Sequence, residues 1–497
     1  MVYVLSKTLF LIGKRCPRAL WLHTHSSDFK RNSHNTFSHI PIIKDNIESD
    51  NSTLLFGTNV GTLAHLYMGK GPIINTHLKL AQKLQHTQHY IAQDCPIIYE
   101  ATAQSSQNGD YASIDILKQN THGNYNLMEV KSGSYVRENY LSDLCFQYII
   151  FQEASIPITS CMLMTINPLY HRKSALSLRQ FFQIEDVTDR ILSLVTKIQS
   201  ERTRIRTYKT VKEEPYVKIS DHCITPYPCP YLSYCWKNIP RYSLYSLCKP
   251  HLAARLAHKH HSLDLHDYIY EKSLSKTEKI DIHAHITQKE HIEQNTLKAI
   301  HTKWTHPLSI IHGHMLNNIP IPLFTHARPY EPFLFFLLHA SLSDDDTLSF
   351  HSAFFHNSHQ HPYPRFVRKL CNLCQKDSTV LYFSNNNFTA LLSSTIAQCG
   401  VLKDTSFINL HHLFKNRYYY HPKQYSQDTL SAIAAACHLS TDIPIPLQDL
   451  SYRYVHTMGT PDAQKLKEDC EKYSHSTIRI IALLYRFIKN ITEKHSS

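Results

Sequence analysis

Between residues 97 and 166 apolar and polar positions alternate in short, sharply bounded runs: IIYEATAQ, YASIDILK, YNLMEVKS and ITSCMLMTIN. Runs of this length, rich in β-branched and aromatic residues and separated by Gly, Asn and Ser, predict strands. Between the third and fourth, from about Glu138 to Glu153, the spacing becomes helical, with Leu141, Leu144, Cys145 and Tyr148 as the expected buried stripe. Upstream, Ser6 is placed to cap a helix that carries Leu9, Phe10 and Ile12 and breaks at Pro17. A polar stretch rich in Ser, Asn and His runs to about residue 52, and FGTNVGTLAHLYMG reads as a turn entering a second helix. The pattern predicts a small mixed sheet with helices packed on it.

After Trp236 the pattern shifts. Residues 245–300 are polar, rich in His and Lys, and helically spaced. Strand-like runs return at LSIIHGHML, FLFFLLHASL, TLSFHSAFF and TVLYFSN, and helices dominate the tail to STIRIIALLYRFIKNI. The expected organisation is an α/β domain over 1–240, a helical connector over 241–300 and a second α/β domain over 301–497. A chain of 497 residues is long enough for more than one core.

The 52 Lys and Arg against 40 Asp and Glu leave a formal charge of +12, which suits a polyanionic partner. The 36 histidines are scattered, and only His258-Lys259-His260-His261 is dense, which argues against a metal-storage tract. The apolar opening is interrupted by Lys7 and followed by Lys14-Arg15 instead of a small-residue cleavage site. No window of about eighteen uncharged apolar residues follows, so a cytoplasmic protein without a membrane partner is expected. Thirteen cysteines in such a chain point to reduced thiols and a metal or cluster site, not to a disulfide framework.

The candidate chemistry centres on Asp115 in YASIDIL and on Glu129 and Lys131 in LMEVKSG. Alternation along a strand puts Glu129 and Lys131 on one face, with Met128 and Val130 expected to pack inward. A hairpin turned at His122-Gly123-Asn124 brings Asp115 alongside Glu129. Two carboxylates and an ammonium so placed can hold Mg²⁺ and position or deprotonate an attacking water, as phosphodiester hydrolysis requires. The bland alternative is a solvated strand end. His65 is a candidate further metal ligand, or an ordinary surface or core histidine. Gln147 and Phe151 lie one helical turn apart, where Gln147 either joins the site or rims the apolar stripe.

His65, Asp115, Glu129-Val130-Lys131 and Gln147-x-x-x-Phe151 occur in the order and approximate spacing of the RecB-like branch of PD-(D/E)XK nucleases, which this part of the chain resembles. The last motif of that family usually ends in Tyr, so Phe151 departs from it. The resemblance implies that the acids bind Mg²⁺ or Mn²⁺, that Lys131 is catalytic and that Gln147 orients the site. Several such nucleases have one cysteine before the core and three after it that ligate a [4Fe-4S] cluster; here these would be Cys16, Cys223, Cys229 and Cys235. The five-residue gaps on both sides of Cys229 differ from the C-x-x-C of relatives. Structural zinc and unrelated buried cysteines therefore stand as alternatives. Longer blocks, from LSKTLFLIGKRCPRALWLHTH through IPIPLFTHARPYEP to NRYYYHP, resemble a bacterial DUF-type family that joins a RecB-like nuclease to a C-terminal DnaQ-like, RNase H-fold exonuclease domain.

Two-metal exonuclease chemistry needs acids on the first strand of that second domain. There the strand reads SIIHGHML, with His312 and His314 in the acidic positions, and Tyr473 replaces a later aspartate. Neutral nitrogen ligands do not suit Mg²⁺, so this domain is expected to be inactive: a scaffold for nucleic acid or a partner, or a transition-metal site at the histidines. Cys371-x-x-Cys374 on an amphipathic run reads as core packing more readily than as zinc. Arg202, Arg204, Arg206, Lys209 and Lys212 can meet phosphates or form a solvated face. NRYYYHP offers rings for stacking on single strands or for packing. The expected function is a metal-dependent DNA nuclease acting on single strands or ends, with RNA not excluded. The rival is a nucleic-acid or partner-binding protein on an inactive nuclease scaffold.

Overall fold

The computed structural model describes residues 4–25, 60–173, 175–225, 228–240, 243–247, 250–316, 333–343, 345, 347–354, 362–374, 377–384, 387–402, 404–425, 427–439 and 461–494. The polar stretch before residue 52 and the IPIPLFTHARPYEP block lie outside the described residues. The described residues form a mixed α/β protein of two compact units, one ending at Trp236 and the other beginning at Lys237.

In the first unit α1 (Lys7–Arg15) starts at Ser6, whose hydroxyl accepts the Leu9 N–H at 3.2 Å. It stops at Cys16, and α2 (Pro17–His25) starts afresh at the proline. Helical residues 60–68 and α3 (Leu80–Ala92) precede β1 (Ile97–Gln104), β2 (Tyr111–Gln119) and β3 (Tyr125–Val130). The β2–β3 hairpin turns at Gly123, whose φ of 79° suits a residue without a Cβ. Helix α4 (Glu138–Glu153) crosses over to β4 (Ile158–Ile166), which runs parallel to β3. Then β5 (Phe182–Asp186) closes a five-stranded sheet in the order β1-β2-β3-β4-β5, and α5 (Thr188–Thr210) packs beside α4. Beneath α4 lie Tyr125, Leu127, Cys161 and Leu163. Glu129 follows Leu127 on that face; Met128 is buried as the pattern expects, but on the opposite face, and Val130 is only half-buried. The helix chooses the face, and alternation alone does not.

Asp110 is buried completely between β1 and β2 and takes the Leu5 N–H at 2.7 Å, Arg202 Nε at 2.6 Å and Arg206 Nη1 at 3.0 Å. Arg202 also bonds both oxygens of Glu153, and Lys209 Nζ donates to the Val4 carbonyl at 2.7 Å. The basic stretch of α5 is thus an internal anchor for the N-terminus, which corrects both expectations for Arg202, Arg206 and Lys209. Arg204 and Lys212 stay exposed.

In the second unit α6 (Lys276–Thr287), β6 (His291–Ile292) and α7 (Gln294–His301) precede β7 (Leu308–Leu316), β8 (Phe333–Leu342) and β9 (Leu348–Phe354). Helix α8 (Pro362–Leu373), β10 (Thr379–Tyr382), α9 (Asn387–Gln398), β11 (Ser406–Asn409), β12 (Tyr419–Tyr420) and α10 (Pro461–Lys494) follow. The sheet order is β11-β10-β7-β8-β9, with β7, β10 and β11 parallel and β7, β8 and β9 antiparallel. One face packs on α10 and the other on α8 and α9. Gly313 is required where it stands, since a Cβ there would lie 2.0 Å from the Phe388 ring.

The segment expected to connect the domains is helical and packs within this unit. Asp281 of α6 takes Arg417 Nε at 2.6 Å and Nη2 at 3.0 Å, and β6 pairs with β12. Arg417, Tyr419 and Tyr420 are buried, so the NRYYYHP rings at 419 and 420 are core and are not free to stack on single strands. Cys371 lies against Cys399, their sulfurs 2.8 Å apart, so its nearest thiol is not the one implied by the C-x-x-C spacing.

Among the described residues no helix is long and apolar enough to cross a membrane. Arg202→Met strands Asp110 and Glu153 without their main cation. It is expected to lower the opening free energy of α5 and β2 amides by about 3–5 kcal/mol in native-state hydrogen exchange, leaving second-unit amides unchanged. Unchanged α5 protection would rule out the anchoring role.

Candidate functional site

Strands β2 and β3 pair up to Ile116 and Met128, and one step further the register sets Asp115 opposite Glu129. Here the Asp115 side chain takes over from the backbone, its Oδ2 accepting the Val130 N–H at 2.7 Å. Glu129 is 2 % exposed and has donors on both oxygens. Oε1 accepts from Lys131 Nζ and from Lys7 Nζ, each at 2.9 Å, and Oε2 accepts from Gln147 Nε2 at 2.8 Å. The same Gln147 amide donates to the Ser113 carbonyl at 2.7 Å, which locks its rotamer. Phe151, one turn on, is fully buried among apolar residues.

Three members of this cluster carried no sequence signal of their own. In the sequence Lys7 stands out only as an interruption of an apolar run. Asp143 receives Lys131 Nζ at 3.1 Å, and it stands four residues before Gln147, so i, i+4 spacing from a recognised glutamine was the available clue. Glu100 sits in β1 between the Tyr99–Ile116 and Ala101–Ile114 pairs, in register with Asp115, and has a φ of 57°. A positive φ in a non-glycine strand residue is strained. It sets a third acid near Asp115 and Glu129.

The charges settle unevenly. Burial and then the neighbouring Glu129 push the Asp115 pKa up to about 7. Burial works in the same direction on Glu129, but Lys131 and Lys7 outweigh it and hold that carboxyl down at about 2. Burial opposes the charge of Lys131, yet Glu129 and Asp143 raise its pKa above the ordinary lysine value. Glu100 is raised by burial and by Glu129. Glu129 is therefore firmly ionised, Asp115 is poised near neutrality, and Lys7 and Lys131 both stay protonated.

His65 packs on β1 beside Glu100. Its ring lies 4.1 Å from that of Tyr99, whose hydroxyl donates to the His65 and Gly69 carbonyls at 3.1 and 2.7 Å. Among the described residues, no group of three or more His, Cys, Asp or Glu side chains is arranged to hold a metal ion.

The four candidate cysteines lie in one neighbourhood but are not arranged to hold a metal ion. Cys16, Cys229 and Cys235 share one cluster with Ala19, Leu22 and Tyr231. Burial, with Cys16 adding to it, raises the Cys223 thiol, and burial pushes Cys235 up to about 12 with Cys229, Cys223 and Cys16 contributing. Polar bonds clasp the same surfaces: Arg15 Nε to the His222 carbonyl at 2.7 Å, Trp21 Nε1 to the Val211 carbonyl at 3.0 Å, and Arg18 to Glu214. Four thiols are the donor set of a four-thiolate centre, and here apolar packing and a polar clasp hold them near one another.

In the second unit His312 and His314 sit on β7 at alternate positions, with burial lowering them to about 4 and about 3. No carboxylate contributes to either shift. Tyr473 of α10 packs against the adjoining core.

Residues 317–428 match a domain of unknown function, DUF2779. The match covers less than a quarter of the chain and lies wholly in the second part, past β7. No curated protein matches the chain.

The raised Asp115 pKa means that the folded protein holds this proton more tightly than the unfolded chain, whose value is 3.8. The contribution therefore weakens the fold as pH rises from about 4 to about 7 and is constant above. Asp115→Asn, which keeps an acceptor for Val130, is expected to raise the melting temperature of metal-free protein more at about pH 8 than at about pH 4. Equal shifts at both would contradict the burial of that charge.

Proposed function

We propose that the first unit is a metal-dependent DNA nuclease on a RecB-like PD-(D/E)XK scaffold, hydrolysing phosphodiester bonds on single strands or at ends. In this reading the second unit is an RNase H-like, DnaQ-like domain without two-metal activity, its acidic positions taken by His312 and His314. The observation that carries the proposal is the meeting of Asp115, Glu129 and Lys131 where β2 and β3 part.

The residues suit Mg²⁺ or Mn²⁺ by their donor chemistry. Magnesium in phosphate-handling sites keeps several waters and takes one or two carboxylates with substrate oxygens, so Asp115 and Glu129 are a sufficient protein share. A bound ion would acidify a coordinated water and offset charge on the phosphate. The chain's own groups do the rest. Gln147 fixes Glu129 in orientation. Lys131 is held as an ammonium between Glu129 and Asp143, placed to hold a phosphate oxygen and orient the attacking water. Cys16, Cys223, Cys229 and Cys235 are the proposed ligands of a [4Fe-4S] cluster, with structural zinc as the alternative occupant; binding would deprotonate the thiols and draw them onto one centre.

One observation favours a second reading, a nucleic-acid or partner-binding protein on an inactive scaffold: both Glu129 oxygens already have donors from within the chain. Cleavage of defined DNA and RNA with and without Mg²⁺ or Mn²⁺ separates the two. Lys131→Ala is expected to abolish cleavage and to leave single-strand binding within a few-fold of the parent. Undiminished cleavage by the variant would remove the site assignment, and a parent that binds but never cuts would select the second reading.

For the cysteines, anaerobically purified protein is expected to be brown, with iron and acid-labile sulfide in equal amounts. Colourless protein with about one zinc per chain would replace the cluster with zinc.

A further inference from the structure

Helix α1 delivers a second ammonium to Glu129, and how it is held differs from how Lys131 is held. Residues 4–6 are fixed on the start of β2: the Leu5 N–H bonds Asp110, the Tyr111 N–H bonds the Leu5 carbonyl at 3.0 Å, and Ser6 bridges to Tyr111. The next residue is Lys7, whose ammonium reaches the same Glu129 oxygen as Lys131, and the two cations oppose each other there. Lys131 has further partners in Asp143, at 3.1 Å, and in the Tyr140 ring, 5.3 Å away. For Lys7 the one hydrogen bond described is to Glu129, and its side chain keeps 28 % of its surface open to solvent.

A cation that arrives at Glu129 must displace a like charge from Oε1. Of the two ammoniums there, Lys7 is the less tied and the more exposed, so it is the one that leaves. Once released, it stands beside the site on an anchored helix, near Asp115, Glu100 and Asp143, and a phosphate of the bound strand is the further anion that arrives there.

We propose that Lys7 is an exchangeable cation. It guards Glu129 while the site is empty and moves to a nucleic-acid phosphate when a divalent ion takes the carboxylate. This rests on the nuclease reading of the site and extends it: metal and strand then bind cooperatively, because each relieves the contact that opposes the other. The coupling is reciprocal by linkage. Lys7 is a positioning residue in the first state and a substrate contact in the second.

The test uses the full chain, as parent, Lys7→Met and Lys7→Arg. Methionine keeps the aliphatic stem against its neighbours, and circular dichroism with thermal unfolding checks the fold of each protein. Mn²⁺ binding is followed by electron paramagnetic resonance without nucleic acid. At saturating Mn²⁺, binding of a fluorescent single-stranded oligonucleotide with a hydrolysis-resistant phosphorothioate backbone is followed by anisotropy across a salt series. Lys7→Met is expected to bind Mn²⁺ several-fold tighter than the parent, because the guarding charge is gone. Its oligonucleotide affinity should fall several-fold, and its salt slope should shrink by about 0.7, the value for one lost phosphate contact on a single strand. Lys7→Arg should restore both. Mn²⁺ affinity equal to the parent's in folded Lys7→Met overturns the proposal, and so does an unchanged salt slope. Neither readout depends on turnover: a parent that binds Mn²⁺ and DNA but does not cut defeats the nuclease reading and leaves this exchange measurable.

Discussion

A carboxylate that keeps its charge while nearly sealed from water must be met on every side, because desolvating such a group costs several kcal/mol unless partners replace the water. Glu129 is that group, and much of the first unit is arranged to satisfy it. Strand β3 supplies the acid and, at its end, Lys131. Helix α4 supplies Gln147 to one oxygen and Asp143 to steady the lysine, two polar positions that with Ser142 interrupt an otherwise apolar buried side. Helix α1 supplies Lys7. The arrangement also sets Asp115 and Glu129 apart in character, since burial and then repulsion by Glu129 raise Asp115 while the cations sit on Glu129 and hold it ionised. Acid groups whose environments push their pKa values in opposite directions are what acid, base and metal chemistry use.

Helix α1 ties two chemical centres together. Its first residue touches the carboxylates, and its C-cap is Cys16, in the cysteine cluster. Nine helical residues span about 14 Å, a short and stiff strut. Around it Arg15, Arg18 and Trp21 clasp the segment from Val211 to Cys235, while Asp110 and Arg202 hold the residues just before it. A centre bound by the four cysteines would therefore fix the far end of the element that places Lys7. In the proposed nuclease, this gives a metal clasp remote from the carboxylates a physical route to them.

The second unit uses its buried polar groups differently. Arg417 and Asp281 form a bidentate pair that joins α6 to the loop before β12, a structural bond with no opening for a ligand. Burial keeps His312 and His314 neutral on β7, so that strand carries no charge. The match to DUF2779 falls in this unit, whereas the cluster of acids and lysines lies in the other. Family similarity and candidate chemistry thus sit in different parts of the chain.

By itself the sequence determined what depends on neighbours along the chain. The bounds of β1, β3 and α4 follow from period and punctuation, and the start of α1 follows from the Ser6 cap. Asp115 and Glu129 were legible because a charge inside an apolar strand stands out, and Lys131 because it follows at the same-face spacing. What the tertiary structure decided is which face of the sheet a helix covers and which distant residues meet. Leu127, not Met128, lies under α4 because packing picks the face that alternation leaves undetermined. The arginines of α5 look like a phosphate-binding run until Asp110, 92 residues away, is placed against them. Lys7 lies 122 residues from Glu129, and no local period encodes a contact that exists only once the chain has closed on itself.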